Sequence, residues 1–147
     1  FKNSGPIPPR AEQPTTYTVF WTLSNSFNDL GNTSVSAALP PYVTWVGTKS
    51  PLGEQILYNQ ATNKIVWEPG EIKAGVGFTS SPREVAFQVS FLPSLGQVGN
   101  APVLIEQMTF TGLDRFTGKE ISVTKQPLTT RIATDPEFYF TDDVVVE

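Results

Sequence analysis

From Thr15 to Leu23 the chain alternates strictly, with Tyr17, Val19, Trp21 and Leu23 on one side and Thr16, Thr18, Phe20 and Thr22 on the other. A period of two is what a half-buried β-strand requires, because successive side chains leave opposite faces of the pleat. A second alternation runs from Arg83 to Phe91, with Val85, Phe87, Val89 and Phe91 as its apolar face. Between them, shorter apolar runs predict strands at Ser34–Leu39, Tyr42–Val46, Ile56–Asn59 and Lys64–Glu68. Beyond Phe91, Val103–Thr111 reads as one long, mostly buried strand, with Leu104, Met108 and Phe110 on one face and Val103 and Ile105 on the other. Ile121–Val123 and Leu128–Ile132 complete the set.

Turn chemistry separates these runs. Pro6, Pro8, Pro9 and Pro14 make the entry extended and poor in donors, suited to a linker or an edge strand. The polar stretch Ser24–Asn32, Pro40-Pro41, the turn 60–63, Pro69-Gly70, Pro93–Asn100 and Gly112–Gly118 supply the breaks. Pro69-Gly70 is expected to close the strand before it. No window of eleven or more residues holds a helical period. Short strands at regular spacing predict an all-β fold, an immunoglobulin-like antiparallel β-sandwich of seven to nine strands. With no cysteine pair, Trp21, Trp45, Trp67 and Phe87 are expected to form its core. Residues 1–136 are expected to be one sandwich domain, and 137–147 an acidic linker or an extra strand.

Composition narrows the chemistry. The 147 residues include neither histidine nor cysteine, which removes the usual general base, the commonest transition-metal ligands and the thiol nucleophile. An enzyme is therefore not expected. Charged residues are 16%, and the fourteen acids against ten bases are unevenly placed. Asp135, Glu137, Asp142, Asp143 and Glu147 follow Arg131 with no base among them, so the body is nearly neutral and the tail acidic. No basic stripe is present to track phosphates, which argues against nucleic acid as a partner. No apolar run approaches the eighteen or so residues of a membrane span, so this segment is not expected to insert in a membrane. A chain that begins at Phe1 rather than methionine is expected to be a piece of a longer protein.

Several segments recur together in a known pattern: Gly5-Pro6-Ile7-Pro8-Pro9, Tyr17-Thr18-Val19-Phe20-Trp21, Leu39-Pro40-Pro41-Tyr42-Val43-Thr44-Trp45 and Ile65-Val66-Trp67 with Pro69-Gly70. Phe87-Gln88-Val89, the loop Pro93–Gly99, Gly112-Leu113-Asp114-Arg115-Phe116-Thr117-Gly118, Pro127-Leu128-Thr129-Thr130 and Asp135-Pro136 continue it. This resembles the immunoglobulin-like repeat domains of uncharacterised function found in long bacterial cell-surface proteins. The resemblance covers most of Gly5–Pro136 and rests on turns and core aromatics. It implies a non-enzymatic spacer, stalk or adhesive module, extracellular or at the cell surface, whose partners are neighbouring domains of the same polypeptide. It transfers no catalytic residue.

Candidate binding residues follow from residue type. Exposed aromatics stack on sugar faces, and Phe116, Tyr58 and Phe27 lie near polar turn residues, so a glycan or protein ligand would use them. Each can equally fold back over the end of the sandwich. No cofactor is expected. The one candidate is calcium on Asp142, Asp143 and Asp135, clustered hard oxygen ligands near a domain junction, although their spacing matches no calcium loop. The pairs Glu68 with Glu71, and Asp114 with Glu120, are read as surface charge. Lys64 and Lys125 are the lysines placed for an isopeptide cross-link, and both fit a solvent-facing position as well.

Overall fold

The two clearest alternations are hydrogen-bonded to each other. In a computed structural model, which describes residues 2–26 and 28–130, β1 (Thr15–Leu23) and β6 (Arg83–Phe91) pair antiparallel along their whole length. Thr15 lies opposite Phe91 and Leu23 opposite Arg83. The other strands are β2 (Leu30–Ala38), β3 (Val43–Ser50), β4 (Ile56–Asn59), β5 (Lys64–Ile72), β7 (Val103–Ile105), β8 (Met108–Asp114), β9 (Glu120–Lys125) and β10 (Leu128–Thr129). They form a three-stranded sheet in the order β1-β6-β3, a five-stranded sheet β4-β5-β2-β8-β9, and the short pair β10-β7, all antiparallel. The protein is an antiparallel, immunoglobulin-like β-sandwich, with a single 3₁₀ turn at Leu95–Gln97 among the described residues. The described residues hold ten strands, in rough agreement with the seven to nine expected, the extra one coming from the division of one long run.

The core lies between the two larger sheets. Tyr17, Val19 and Trp21 of β1 and Val85, Phe87, Val89 and Phe91 of β6 meet Val35 and Ala37 of β2 and Ile65 and Trp67 of β5 in one buried cluster. Phe87 is fully buried between two indoles, at 5.0 Å from Trp21 in an edge-on contact and 5.5 Å from Trp45. Edge-on and tilted geometries suit the ring quadrupole better than a face-to-face stack. Trp45 is only half-buried, because β3 is an edge strand, and its other neighbour is Tyr58 of β4 at 5.9 Å, nearly parallel. β6 is also covered on its outer face. Gln88 donates to the backbone carbonyl of Lys2 at 2.9 Å and to Asn3 Oδ1 at 3.1 Å, so the proline-rich entry lies across the sheet as a strap. Ser4 joins this strap to the edge of β1, its carbonyl accepting from the Thr16 N–H at 2.9 Å.

Several boundaries differ from the sequence reading: β3 runs to Ser50 rather than Val46, β8 to Asp114 rather than Thr111, and β9 covers Glu120–Lys125 rather than Ile121–Val123. β2 starts at Leu30 rather than Ser34, because β5 and β8 on either side satisfy its backbone. β5 does not stop at Pro69-Gly70 but continues to Ile72. Its pairing with β2 shifts register between Thr33 and Val35, and Gly70 takes a φ of +81°, so the dipeptide forms a bulge that absorbs a proline unable to donate. The run Val103–Thr111 is split at 106–107, where Glu106 turns its N–H to the Ala38 carbonyl at 3.0 Å. Leu104 and Ile105, consecutive within β7, are both buried, so this short strand is covered on both faces.

Glu54, in the loop between β3 and β4, ties the sheets together. Its carboxylate accepts from Trp67 Nε1 of the five-stranded sheet at 2.9 Å and forms an ion pair with Arg83 of the three-stranded sheet at 2.7 Å. The Glu54 side chain is 13% exposed and that of Arg83 35%, so the pair is partly screened. Glu54→Ala strands the indole N–H and a guanidinium, and is expected to cost about 2–3 kcal/mol in urea unfolding. Phe87→Ala removes the ring between two tryptophans and is expected to cost about 3–5 kcal/mol, with loss of near-ultraviolet circular dichroism from both indoles.

Candidate functional site

Three loops meet at the end of the sandwich where Leu30 faces both Ile72 and Asp114. They comprise residues 24–29, 73–82 and 114–119. Asp114 closes β8 and is the residue that orders them. Its Oδ1 accepts from the backbone N–H of Phe116 at 2.8 Å and of Thr117 at 3.1 Å, and its backbone carbonyl accepts from Gly118 at 2.8 Å. This is how an aspartate side chain mimics a backbone turn, and Gly118 with φ +71° completes it. Asn28 donates its amide to both carboxylate oxygens, at 3.3 and 3.1 Å. Asp29 then links all three loops: its carbonyl accepts from the Arg115 N–H at 2.9 Å and its Oδ1 from the Ala74 N–H at 2.7 Å. The Gly75 N–H donates to the Asn25 carbonyl at 2.7 Å, and the Asn25 N–H donates to the Val76 carbonyl at 2.8 Å. The Arg115 guanidinium lies on Gly31, where a Cβ would come within 2.2 Å of it.

Asp114 is 5% exposed and accepts four hydrogen bonds through its carboxylate. The N–H of Thr117 and the amide of Asn28 hold the carboxyl below its ordinary range, against the opposing effect of burial. An ionised, acceptor-saturated carboxylate is suited to fixing a loop rather than to exchanging protons. What the fixed loop presents is Phe116, 85% exposed at its tip, while Phe78 on the neighbouring 73–82 loop is 67% exposed. The end of the sandwich is therefore a polar, internally bonded frame that carries apolar rings outward.

The sequence-predicted residues fall in different places. Phe116 belongs to this cluster. Tyr58 lies at the other end of the five-stranded sheet, where it pairs with Ile65, stacks on Trp45 and donates a hydrogen bond from its hydroxyl to Asn63 Oδ1. Phe27 lies outside the described residues, as do the calcium candidates Asp135, Asp142 and Asp143. Among the described residues, no three acids are grouped as a metal site would require. Glu68, Glu71, Glu120, Lys64 and Lys125 are all exposed. Asn28 and Asp29 were not singled out from the sequence. Their signal is an Asn-Asp pair in a polar turn that topology brings opposite a second Asp four residues before a glycine.

No family model matches the chain, and no curated protein is similar to it. Among solved structures it is similar to domains D2 and D3 of the major pilin SpaD from Corynebacterium diphtheriae, at 15% identity and a TM-score of 0.47, over 82% of this chain and 47% of that one. It is also similar to BcpA, the major pilin subunit of Bacillus cereus, at 10% identity and a TM-score of 0.51, over 84% of this chain and 36% of that one. The chain thus spans less than half the length of either neighbour. The likeness to the Bacillus cereus subunit is one of fold.

Because the folded-state pKa of Asp114 is lowered, its contribution to stability is complete above the unfolded carboxyl value of about 3.9 and disappears as pH falls through the folded value. Asp114→Asn keeps an acceptor for the loop N–H groups but does not titrate. Its stability is expected to fall less between pH 5 and pH 2, on the order of the window set by that reference value, than that of the parent protein. Thermal melts across that range check it; parallel curves would remove Asp114 from the acid response.

Proposed function

We propose that this chain is a structural module of a larger extracellular or cell-surface protein, a β-sandwich that sets distance and orientation between neighbouring domains of the same polypeptide. The fold likeness to the major pilin subunit of Bacillus cereus carries this reading. Three features of the chain support it. Its core is built from interleaved aromatics with no cysteine, so folding does not depend on a disulfide. Its entry segment is bonded across β1 and β6 through Lys2, Asn3 and Ser4, which joins whatever precedes it to the sandwich without a free hinge. At its exposed positions uncharged polar residues outnumber charged ones, as suits a wall that touches solvent on most sides.

A second reading, recognition of a glycan or protein through the loop cluster, is favoured by one observation: Phe116 stands almost fully exposed on a frame held rigid by Asp114, Asn28 and Asp29. A flexible loop would lose entropy on presenting such a ring, whereas this one is already ordered. Calcium at Asp142, Asp143 and Asp135 belongs to this reading, as a means of stiffening the exit.

The two readings separate in the parent protein on intact cells. For a spacer, limited proteolysis of intact cells is expected to release the module. Replacing it by an unrelated sandwich of equal length preserves adhesion, and Phe116→Ala has no effect. Loss of adhesion on Phe116→Ala, with an unchanged melting temperature, would transfer the function to the loop cluster. A screen of the domain on a glycan array, with and without calcium, then identifies the ligand class.

A further inference from the structure

The entry strap has a direction. Ser4 lies beside Thr16, its carbonyl accepting from the Thr16 N–H at 2.9 Å and its own N–H donating to Thr16 Oγ1 at 2.6 Å. Asn3 Oδ1 accepts from Thr18 Oγ1 at 3.0 Å, and the Lys2 carbonyl accepts from Gln88, the residue opposite Thr18. Followed back from Ser4 to Lys2, the chain therefore runs along β1 towards Leu23. The loop 24–29 springs from Leu23, so the strap is aimed at the loop cluster around Asp114. From the level of Thr18 to that of Leu23 is five residues of strand, about 17 Å, which about five extended residues cover. β9 runs the opposite way, from Glu120 beside the loops to Lys125 across from Met108, and Leu128–Thr129 follows beside β7. Upstream sequence thus arrives at the loop end, and by Thr129 the chain has reached the other one.

The surface at the loop end is apolar where it projects furthest. Phe116 and Phe78 are largely exposed, on loops that a single residue holds together, since Asp29 accepts from the N–H groups of both Arg115 and Ala74. Exposed charges of both signs accompany them: Arg115, Lys119 and Glu120 beside Phe116, and Lys73 paired with Glu71 at 3.9 Å at the start of the other loop. Aromatic rings with arginine at the centre and a polar rim are the composition of a protein–protein interface. A small-ligand site would also need a few convergent polar groups to fix its occupant. Here the polar side chains of the frame are turned on one another. The Asn28 amide is on Asp114, Asp29 Oδ1 is on the Ala74 N–H, and the Asn25 amide donates to the carbonyls of Asn28 and Ile72. A folded protein surface covers the projecting rings without calling on those groups.

We propose that the loop end is the interface with the module that precedes this one in the parent polypeptide, whose surface seats on Phe116 and Phe78. The inference rests on the structural-module reading above, and adds which end is contacted, by what and through which residues. Two features act together. The strap is bonded to β1 and β6 as far as Lys2, so the upstream chain is delivered to the end that carries the rings. Over a connection of a few residues, such tethering sets an effective concentration on the order of millimolar, at which even a small contact is populated. The Asp114 frame orders the Phe116 loop before contact, so little conformational entropy is lost on docking. The connection by itself leaves the angle between modules free, and the two rings fix it.

The stretch of the parent protein that holds this module and its predecessor supplies the test, with the 147-residue chain as reference. Residual dipolar couplings and nitrogen-15 relaxation are expected to report one rigid body, with the amide signals of Phe78, Phe116 and Thr117 displaced from their positions in the reference. The double variant Phe116→Ser/Phe78→Ser is expected to lose that coupling, so that each module tumbles on its own. The same two changes in the 147-residue chain leave its melting temperature where it was, because both rings face mainly solvent there. A folded predecessor that tumbles independently, or rigid coupling that survives the double change, would overturn the proposal and leave the structural-module reading standing. A preceding stretch that is no folded domain would remove both. Signals of Phe116 that ignore the predecessor but move with a glycan would give the loop end to a ligand instead.

Discussion

Phe87 has no freedom: its ring is fully buried, an indole lies against it on either side, and the strand that carries it is paired on both edges. Through that single position the three-stranded sheet acquires both its register and its distance from the five-stranded one. β6 is held from every direction, with β1 and β3 as neighbours, the core beneath and the entry strap above. Everything else in the sandwich is arranged at the margins of this strand. A protein with no disulfide needs such a centre, because the full cost of ordering the chain must be met by packing.

Away from the centre the two ends and the two sides diverge. At one end, polar side chains of three loops satisfy one another around Asp114, and the apolar rings that remain point outward. At the other, Tyr58 and Trp45 close the β3–β4 side by stacking. Among the described residues the β1 side has no such closure, its sheet being two strands narrower than its partner. An open edge beside an apolar face invites pairing with another chain, and natural proteins usually cover it.

The alternation of apolar and polar residues determined much of this by itself. Thr15–Leu23 and Arg83–Phe91 stand as strands with the boundaries read from their pattern, because a period of two admits one burial solution when one face must be covered. The roles of Trp21, Trp67 and Phe87 as core followed from their size and the lack of cysteine. Where local chemistry and pairing disagreed, pairing prevailed. Pro69-Gly70 is a stop signal to its neighbours in sequence, yet β2 alongside gives β5 a reason to continue through a bulge. Only the tertiary structure decided that Phe116 and Tyr58, equivalent as exposed-aromatic candidates, lie at opposite ends of a sheet. It alone brought Asn28 and Asp29 to a carboxylate some eighty-six residues from the first of them, because a side chain's partner across a sandwich is set by register and topology, which no local pattern encodes.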